Sequence, residues 1–422
     1  MPPNDFGRLP STHQRDYEFF IFILIAFLMV SAVFYYTYVI KSPIDSSEIP
    51  TIKISCREDI NDEDYVDCSF QLESKDESDN IPSLNSKIKL RGRLNAKLPK
   101  KGYRIELSEE RSLLGMRRDD DWLLIAMYRD LTNMRIKLSF DMWRSLEPTN
   151  PTAILPDTKY VNLFLNGEFK GLYLLAEKND RRLYGLDDAQ NNYNSSLIFQ
   201  SDSHDRNFKE HSNEGWEQDW PNEYDGIYIK EDVFSKLIPI IKNTSDEEFF
   251  DSESGVYSIF NKQNLIDFFI FNFFILHKDF WSHNYFLVRN SSPSKFFLIP
   301  WDFDVSFGQS LNKKFRPNEN PESEICSRNY LFKRLICNME FRKEVKERWF
   351  TLRASNWTEC TILDRLSSIY EKINIISEID TTMWYPWYLD TNWPLKVKNA
   401  VEELFEWIPK RFSFCDEYFS EF

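Results

Sequence analysis

His277-Lys278-Asp279-Phe280-Trp281-Ser282-His283-Asn284, followed by Pro300-Trp301-Asp302-Phe303-Asp304, is the stretch that decides how this chain reads. Asp279 stands five residues before Asn284, the interval of the H-R-D-x-x-x-x-N catalytic loop of protein kinases. Residues 285–288 and 295–300 flank the turn Asn290-Ser291-Ser292-Pro293 and read as two short strands. A hairpin there would return Asp302 to the side of Asn284. Phosphoryl transfer needs a carboxylate to orient the acceptor hydroxyl, an amide oxygen on a metal, and a second carboxylate on the Mg²⁺ that bridges the phosphates. In that chemistry Asp279 is the candidate catalytic group, and Asn284 and Asp302 are candidate ligands for Mg²⁺ or Mn²⁺. Asp304 is a possible further ligand, because alternate residues of a strand share a face. In the plainer alternative, Asp279 and Asn284 cap a helix end and Asp302 closes a strand.

Working outward, residues 51–107 alternate as strands, and residues 87–90 and 103–107 flank a basic loop that could lie over a nucleotide. One cation of that loop would meet the phosphates of ATP. Lys101 is the first choice, with Arg104 and Lys100 close behind, whereas Lys97 reads as a solvated charge. Met134, Leu138, Met142 and Leu146 recur at a spacing of four, which predicts a helix over 131–146 with Asp130 or Thr132 near its start. Residues 160–165 and 168–176 around Asn166-Gly167 predict a hairpin with a type I′ turn. Glu177 and Lys178 follow it, where a hinge would contact adenine. Helices are expected at 233–242, 264–276, 330–353, 361–376 and 396–412. Residues 181–221, rich in Asp, Asn and Ser, read as an exposed polar insertion. His277 is expected to pack beside the catalytic loop, and the Phe-rich stretch 268–274 to form core. Neither a GxGxxG nor a Walker A sequence is present.

The run Ile299-Pro300-Trp301-Asp302-Phe303-Asp304-Val305-Ser306-Phe307-Gly308 resembles the signature of the CotH family of atypical kinases, with Asp279 and Asn284-Tyr285 matching its upstream half. Arg91-Gly92 with residues 99–105 is similar to the family's phosphate-side strand pair. Trp122-Leu123-Leu124 and residues 130–135 resemble its next block, and Gly171 to Lys178 its hinge region. The chain departs from the family's pattern at Arg93-Leu94-Asn95 and at Ile136, the first of these in the loop expected to cover the phosphates. The resemblance implies an ATP-dependent protein kinase that acts on Ser or Thr hydroxyls.

Residues 19–40 form an apolar run without a charge, roughly 33 Å long as a helix and so long enough to cross a bilayer. A membrane anchor over 17–40 is therefore expected, after a tail at 1–16 and before a stalk at 41–50. Arg8 and Arg15 before the run place the N-terminus in the cytosol and the remainder in a luminal or extracellular space. The 67 acidic residues against 52 basic ones, a net charge of −15, argue against a general nucleic-acid binder and fit a luminal catalytic domain favouring basic substrates. With the expected topology, the substrates would be secreted or surface proteins. The simplest local pairing of the six cysteines joins Cys56 to Cys68, Cys326 to Cys337 and Cys360 to Cys415. Asn194, Asn243, Asn290 and Asn356 head glycosylation sequons.

Together these features predict an α+β chain with an atypical protein-kinase-like, two-lobed fold behind one N-terminal transmembrane helix. The lobes would divide at residues 51–178 and 179–422. Two other functions stay open: a DxD nucleotide-sugar glycosyltransferase using Asp302-Phe303-Asp304, and a non-catalytic surface protein of kinase fold.

Overall fold

The computed structural model describes residues 20–25, 27–31, 42–92, 97–202, 207–208, 215–222, 226–278, 281–310, 313–314, 316–385 and 393–422. The chain divides into two units, Met1–Ile49 and Pro50–Phe422.

In the larger unit seven strands close into a barrel: β1 Thr51–Cys56, β2 Val66–Glu73, β3 Ile81–Arg91, β4 Gly102–Ser112, β5 Arg118–Ile125, β6 Thr158–Leu165 and β7 Glu168–Glu177. Their order is β1-β2-β3-β4-β5-β7-β6. The pairs Ile52 and Ile54, Phe70 and Leu72, and Trp122 and Leu124 are spaced by two, so each pair points from its strand into one shared core. β1 runs parallel to β6, with Thr51 opposite Asn162 and Ile54 opposite Leu165, and every other pairing in the barrel is antiparallel. This pairing removes the two free edges that an open kinase-type sheet would keep. The kinase-like N-terminal lobe expected from sequence is thus corrected to a closed barrel in an α+β fold. Asn166 and Gly167 both take positive φ, 53° and 82°, as the predicted type I′ turn requires.

The expected transmembrane helix over 17–40 is also corrected. Within that range only residues 20–25 and 27–31 are described, both helical, and a span takes about 20 residues. No described helix is long and apolar enough to cross a membrane. The single-pass topology with a cytosolic N-terminus and a luminal or extracellular catalytic domain therefore loses its support. In the expected stalk, Ser42–Ser46 is a short helix.

Between β5 and β6 lies helix α1, Arg135–Arg144. The helix starts four residues later than the expected 131, and Asp130 precedes it, its carboxylate accepting from the Thr132 and Arg135 backbone N–H groups at 3.1 and 2.7 Å. Beyond the barrel a second sheet holds β8 Leu197–Asp202, β9 Trp216–Trp220, β10 His283–Arg289 and β11 Phe297–Pro300 in the order β11-β10-β8-β9. The segment 181–221 thus contributes two strands, because Leu197, Ile198 and Phe199 are buried apolar residues inside an otherwise polar stretch.

Helices α2 Lys230–Asn243, α3 Lys262–Phe274, α4 Tyr330–Cys337, α5 Met339–Arg353, α6 Glu359–Trp384 and α7 Trp393–Ser420 complete the unit. Asn338 splits the helix expected over 330–353, its side chain capping α5 by accepting from Phe341 N–H at 2.9 Å. α3 is buried at every position from Asn264 to Phe274, and Phe268 and Phe269 both stack on Phe332. Of the expected disulfides Cys56–Cys68 is formed, while Cys326, Cys337, Cys360 and Cys415 are free. Cys415 is buried and Cys360 exposed, which keeps that pair apart.

Helix α6 packs on β7, and their closest approach is at Gly171. Gly171 has a φ of 103°, and a Cβ there would stand 1.9 Å from Asp380 Oδ1. Gly171→Ala should therefore cost about 2 kcal/mol or more through backbone strain and a displaced carboxylate. Urea unfolding measures it, and a loss below about 0.5 kcal/mol would show that the contact yields freely.

Candidate active site

The site is built on the C-terminal end of α3. A helix end leaves carbonyls without intrahelical partners. Here the buried guanidinium of Arg411, on α7, supplies donors to the Phe273 and Phe274 carbonyls, the latter at 3.0 Å. It also donates to Pro317 O at 2.8 Å and Glu319 O at 2.7 Å. The chain leaving α3 is then bonded to the segment after β11: Phe307 N–H donates to Ile275 O at 2.7 Å, and Lys278 N–H to Val305 O at 3.2 Å. His277 is buried beside Phe303, and its Nε2 lies 2.8 Å from the carbonyl oxygen of Asp302. Asp279 follows this turn directly and lies outside the described residues.

The hairpin read from the sequence is present, with Tyr285 opposite Pro300 and Val288 opposite Phe297. One step further, Trp301 N–H donates to Asn284 O at 2.8 Å, which brings Asn284 alongside the start of the Asp302 turn. Both residues adopt positive φ, 63° for Asn284 and 59° for Asp302, a conformation that costs of order 1–3 kcal/mol and clusters at functional sites. β11 ends at Pro300, so strand alternation does not carry Asp302 and Asp304 to one side. The turn does so instead, and both line one cleft. Asp304 also meets Arg129, with its Oδ2 3.5 Å from the guanidinium.

The opposite wall of this cleft comes from the barrel: Arg91 at the end of β3, with Lys100 and Gly102 at the start of β4. Of the four sequence-derived candidates for nucleotide contact, Lys100 alone is among the lining residues. Lys101, just before β4, is not among the lining residues, and its carbonyl accepts from the Tyr173 hydroxyl at 2.9 Å. Arg104 pairs with Asp121 at 3.1 Å. Glu177 is buried, its two carboxylate oxygens accepting from Arg117 N–H at 2.8 Å and Asp157 N–H at 2.9 Å. The departed loop Arg93-Leu94-Asn95 lies outside the described residues.

Arg91 was legible only as part of a motif. Burial holds its guanidinium below the ordinary range, and the carboxylate of Asp302 opposes that shift. Lys100 is drawn down by burial and pulled back up by Asp380, whose own carboxyl burial raises. Asn284, Asp302 and Asp304 offer one amide and two carboxylate oxygens, a hard donor set that suits Mg²⁺ or Mn²⁺. Among the described residues no group of three His, Cys, Asp or Glu side chains forms a metal site. The enclosed space is about 40 Å³, so admitting a nucleotide takes a parting of the walls.

A model of the CotH kinase protein family matches residues 88–415, and the chain belongs to that family. It is also 26% identical over 327 residues to the inner spore coat protein H of Bacillus subtilis (strain 168), covering 75% of this chain and 82% of that protein. That relative is named for a spore coat, which offers no support for a single-pass membrane placement.

Arg411→Met should expose how far the site depends on its helix cap. With four carbonyls losing a charged donor in the interior, the chain should lose about 3 kcal/mol or more of stability. Denaturant unfolding would detect this, and a loss under about 1 kcal/mol would mean that water or a neighbour replaces the guanidinium.

Proposed function

We propose that this CotH-family chain is an ATP-dependent protein kinase that moves the γ-phosphoryl group to Ser or Thr hydroxyls of proteins. The observation that carries this reading is the placement of Asn284 beside the Asp302 turn, with Asp302 facing Arg91 and Lys100 across one cleft. Two carboxylates, Asp302 and Asp304, across from two basic residues, with Asn284 adjoining their turn through its backbone, suit a polyphosphate with its divalent ion.

In this account Asn284 and Asp302 would hold Mg²⁺ or Mn²⁺, with Asp304 as a further ligand. Such an ion would supply positive charge to offset that of the phosphates. Lys100 and Arg91 meet the non-bridging oxygens of the phosphate chain. Asp279, next in sequence after His277 and Lys278, would orient the acceptor hydroxyl and accept its proton. The hydroxyl oxygen bonds to the γ-phosphorus as the bond to the β,γ-bridging oxygen breaks, and ADP leaves. His277 acts through Asp302, fixing the backbone from which that carboxylate projects. The relative is named as an inner spore coat protein, and by that analogy the acceptors would be coat or surface proteins.

A glycosyltransferase built on Asp302-Phe303-Asp304 has no use for Asp279 or Asn284. A non-catalytic coat component is the second reading, supported by the name of the Bacillus relative. Transfer of labelled phosphate from ATP separates it from the first.

The two central carboxylates should behave differently when removed. Asp302→Ala should abolish the metal-dependent part of ATP binding together with turnover. Asp279→Ala should keep metal-dependent ATP binding while transfer falls by roughly 10²-fold or more. Calorimetry with and without Mg²⁺, beside an autophosphorylation assay, measures both. Wild-type transfer by Asp279→Ala would remove the mechanism, and intact metal-dependent binding by Asp302→Ala would move the ligand role to Asp304.

On the cation side, Lys100→Met should weaken ATP binding by about 10-fold or more, as expected for losing one charge-assisted contact, while Lys101→Met should change it less than about 2-fold. Equal losses for the two variants would contradict the assignment of Lys100.

A further inference from the structure

Arg129 is a third basic residue of the cleft, beside Arg91 and Lys100. Its guanidinium lies 3.5 Å from Asp304 Oδ2, and the two side chains are 27% and 10% exposed. That separation is longer than the roughly 2.8 Å of a charge-assisted hydrogen bond. A loose pair in contact with water contributes at most about 1 kcal/mol, so its members can exchange partners cheaply. The backbone that carries Arg129 is, by contrast, held firmly. Asp130 N–H donates to Met127 O at 2.9 Å, and Met127 has a φ of 54°. The Tyr385 hydroxyl donates to Tyr128 O, and the rings of Tyr128 and Tyr385 stack with their centres 5.0 Å apart. On the facing side, Asp304 is followed by Val305, whose carbonyl accepts from Lys278 N–H at 3.2 Å. Asp279 is the next residue in the chain. Arg129 and Asp304 therefore mark the end of the cleft nearest the catalytic loop, where a transferred phosphate has to lie.

We propose that Arg129 has two successive partners. Without nucleotide it stands beside Asp304 in the place of a divalent ion, and with Mg·ATP bound it contacts the terminal phosphate. Asp302 and Asp304 share one turn, and a guanidinium beside them offsets their mutual repulsion. Once Asp304 serves as a metal ligand, Arg129 faces a like charge, and the terminal phosphate is the anion that the reaction brings to it. The planar guanidinium fork matches phosphate oxygens. The inference rests on the kinase reading above, and it adds a residue through which metal and nucleotide binding are coupled. It also gives the cleft a means of telling ATP from ADP.

The test titrates the full chain with Mn²⁺ alone, with Mg·ATP and with Mg·ADP, comparing the wild type with Arg129→Met. Without nucleotide, the variant should bind Mn²⁺ about 3-fold or more tightly, because a competing charge has gone. Mg·ATP should bind about 10-fold or more weakly, whereas Mg·ADP should lose less than about 2-fold. An arginine with a structural role alone would lower all three affinities together, and that result would overturn the inference. So would an unchanged Mn²⁺ affinity, or equal losses for ATP and ADP. Should Arg129→Met fail to fold, Arg129→Lys decides in its place, since it keeps the charge and loses the fork. It should weaken Mg·ATP by about 3-fold with Mn²⁺ and Mg·ADP within about 2-fold of wild type. Wild-type ATP affinity there would overturn the inference. If the wild-type chain binds neither nucleotide, the kinase reading fails and this inference falls with it. Nucleotide binding that ignores residue 129 defeats the inference alone.

Discussion

The site depends on how the C-terminal end of α3 is finished. An all-buried, phenylalanine-rich helix cannot let its last carbonyls reach water, so they need donors from within the fold. Backbone N–H groups of Ile275, Leu276 and His277 meet the carbonyls of Phe271, Phe273 and Asn272, Arg411 supplies donors to Phe273 and Phe274, and backbone bonds from Phe307 and Lys278 bind the emerging chain to the turn after β11. The residues that leave the helix and the residues that leave the hairpin are thereby fixed as one piece. Through the His277 contact, the carbonyl of Asp302 is part of that piece as well. Removing a buried polar tie of this kind costs more than its net bond strength, because its partner is left unsatisfied. The conformation of Asp302, with φ of 59°, persists because so much surrounds it.

The other wall has a different logic. Closure of the barrel by the parallel β1–β6 pairing makes β7 a strand buried on both faces, with α6 against its outer side. Into that junction the fold puts a lysine and an aspartate. Burying such a pair brings little stability compared with apolar residues of the same size, since desolvation offsets the attraction. Lys100 lines the cleft wall with its ammonium turned to Asp380 and Leu172 O.

Much of this was legible locally. The β10–β11 hairpin followed from two short apolar runs around a Pro-containing turn, and the β6–β7 hairpin from Asn166-Gly167. The helices after residue 230 were legible in outline, but one expected over 330–353 is two helices parted at Asn338, and the last two extend well past their expected C-terminal ends, to Trp384 and Ser420. Barrel closure was not legible, because it rests on pairing residues 51–54 with 162–165, which no local pattern encodes. Nor was the choice of Lys100 over its neighbour, which turns on a one-residue register and on Asp380, far along the chain. The apolar run at 19–40 carried a strong hydropathy signal, yet no described helix there meets the length of a span. In the segment 181–221, composition concealed three buried residues that are enough to make a strand.

The central claim is that Asn284, Asp302 and Lys100 converge on one bound nucleotide. A structure of the full chain with Mg²⁺ and a non-hydrolysable ATP analogue tests it most directly. The account predicts the ion on the Asn284 amide and Asp302 carboxylate oxygens, the phosphates against Lys100 and Arg91, and the terminal phosphate directed at Asp279. A nucleotide bound away from this cleft, or one bound there with the ion on neither Asn284 nor Asp302, would contradict it.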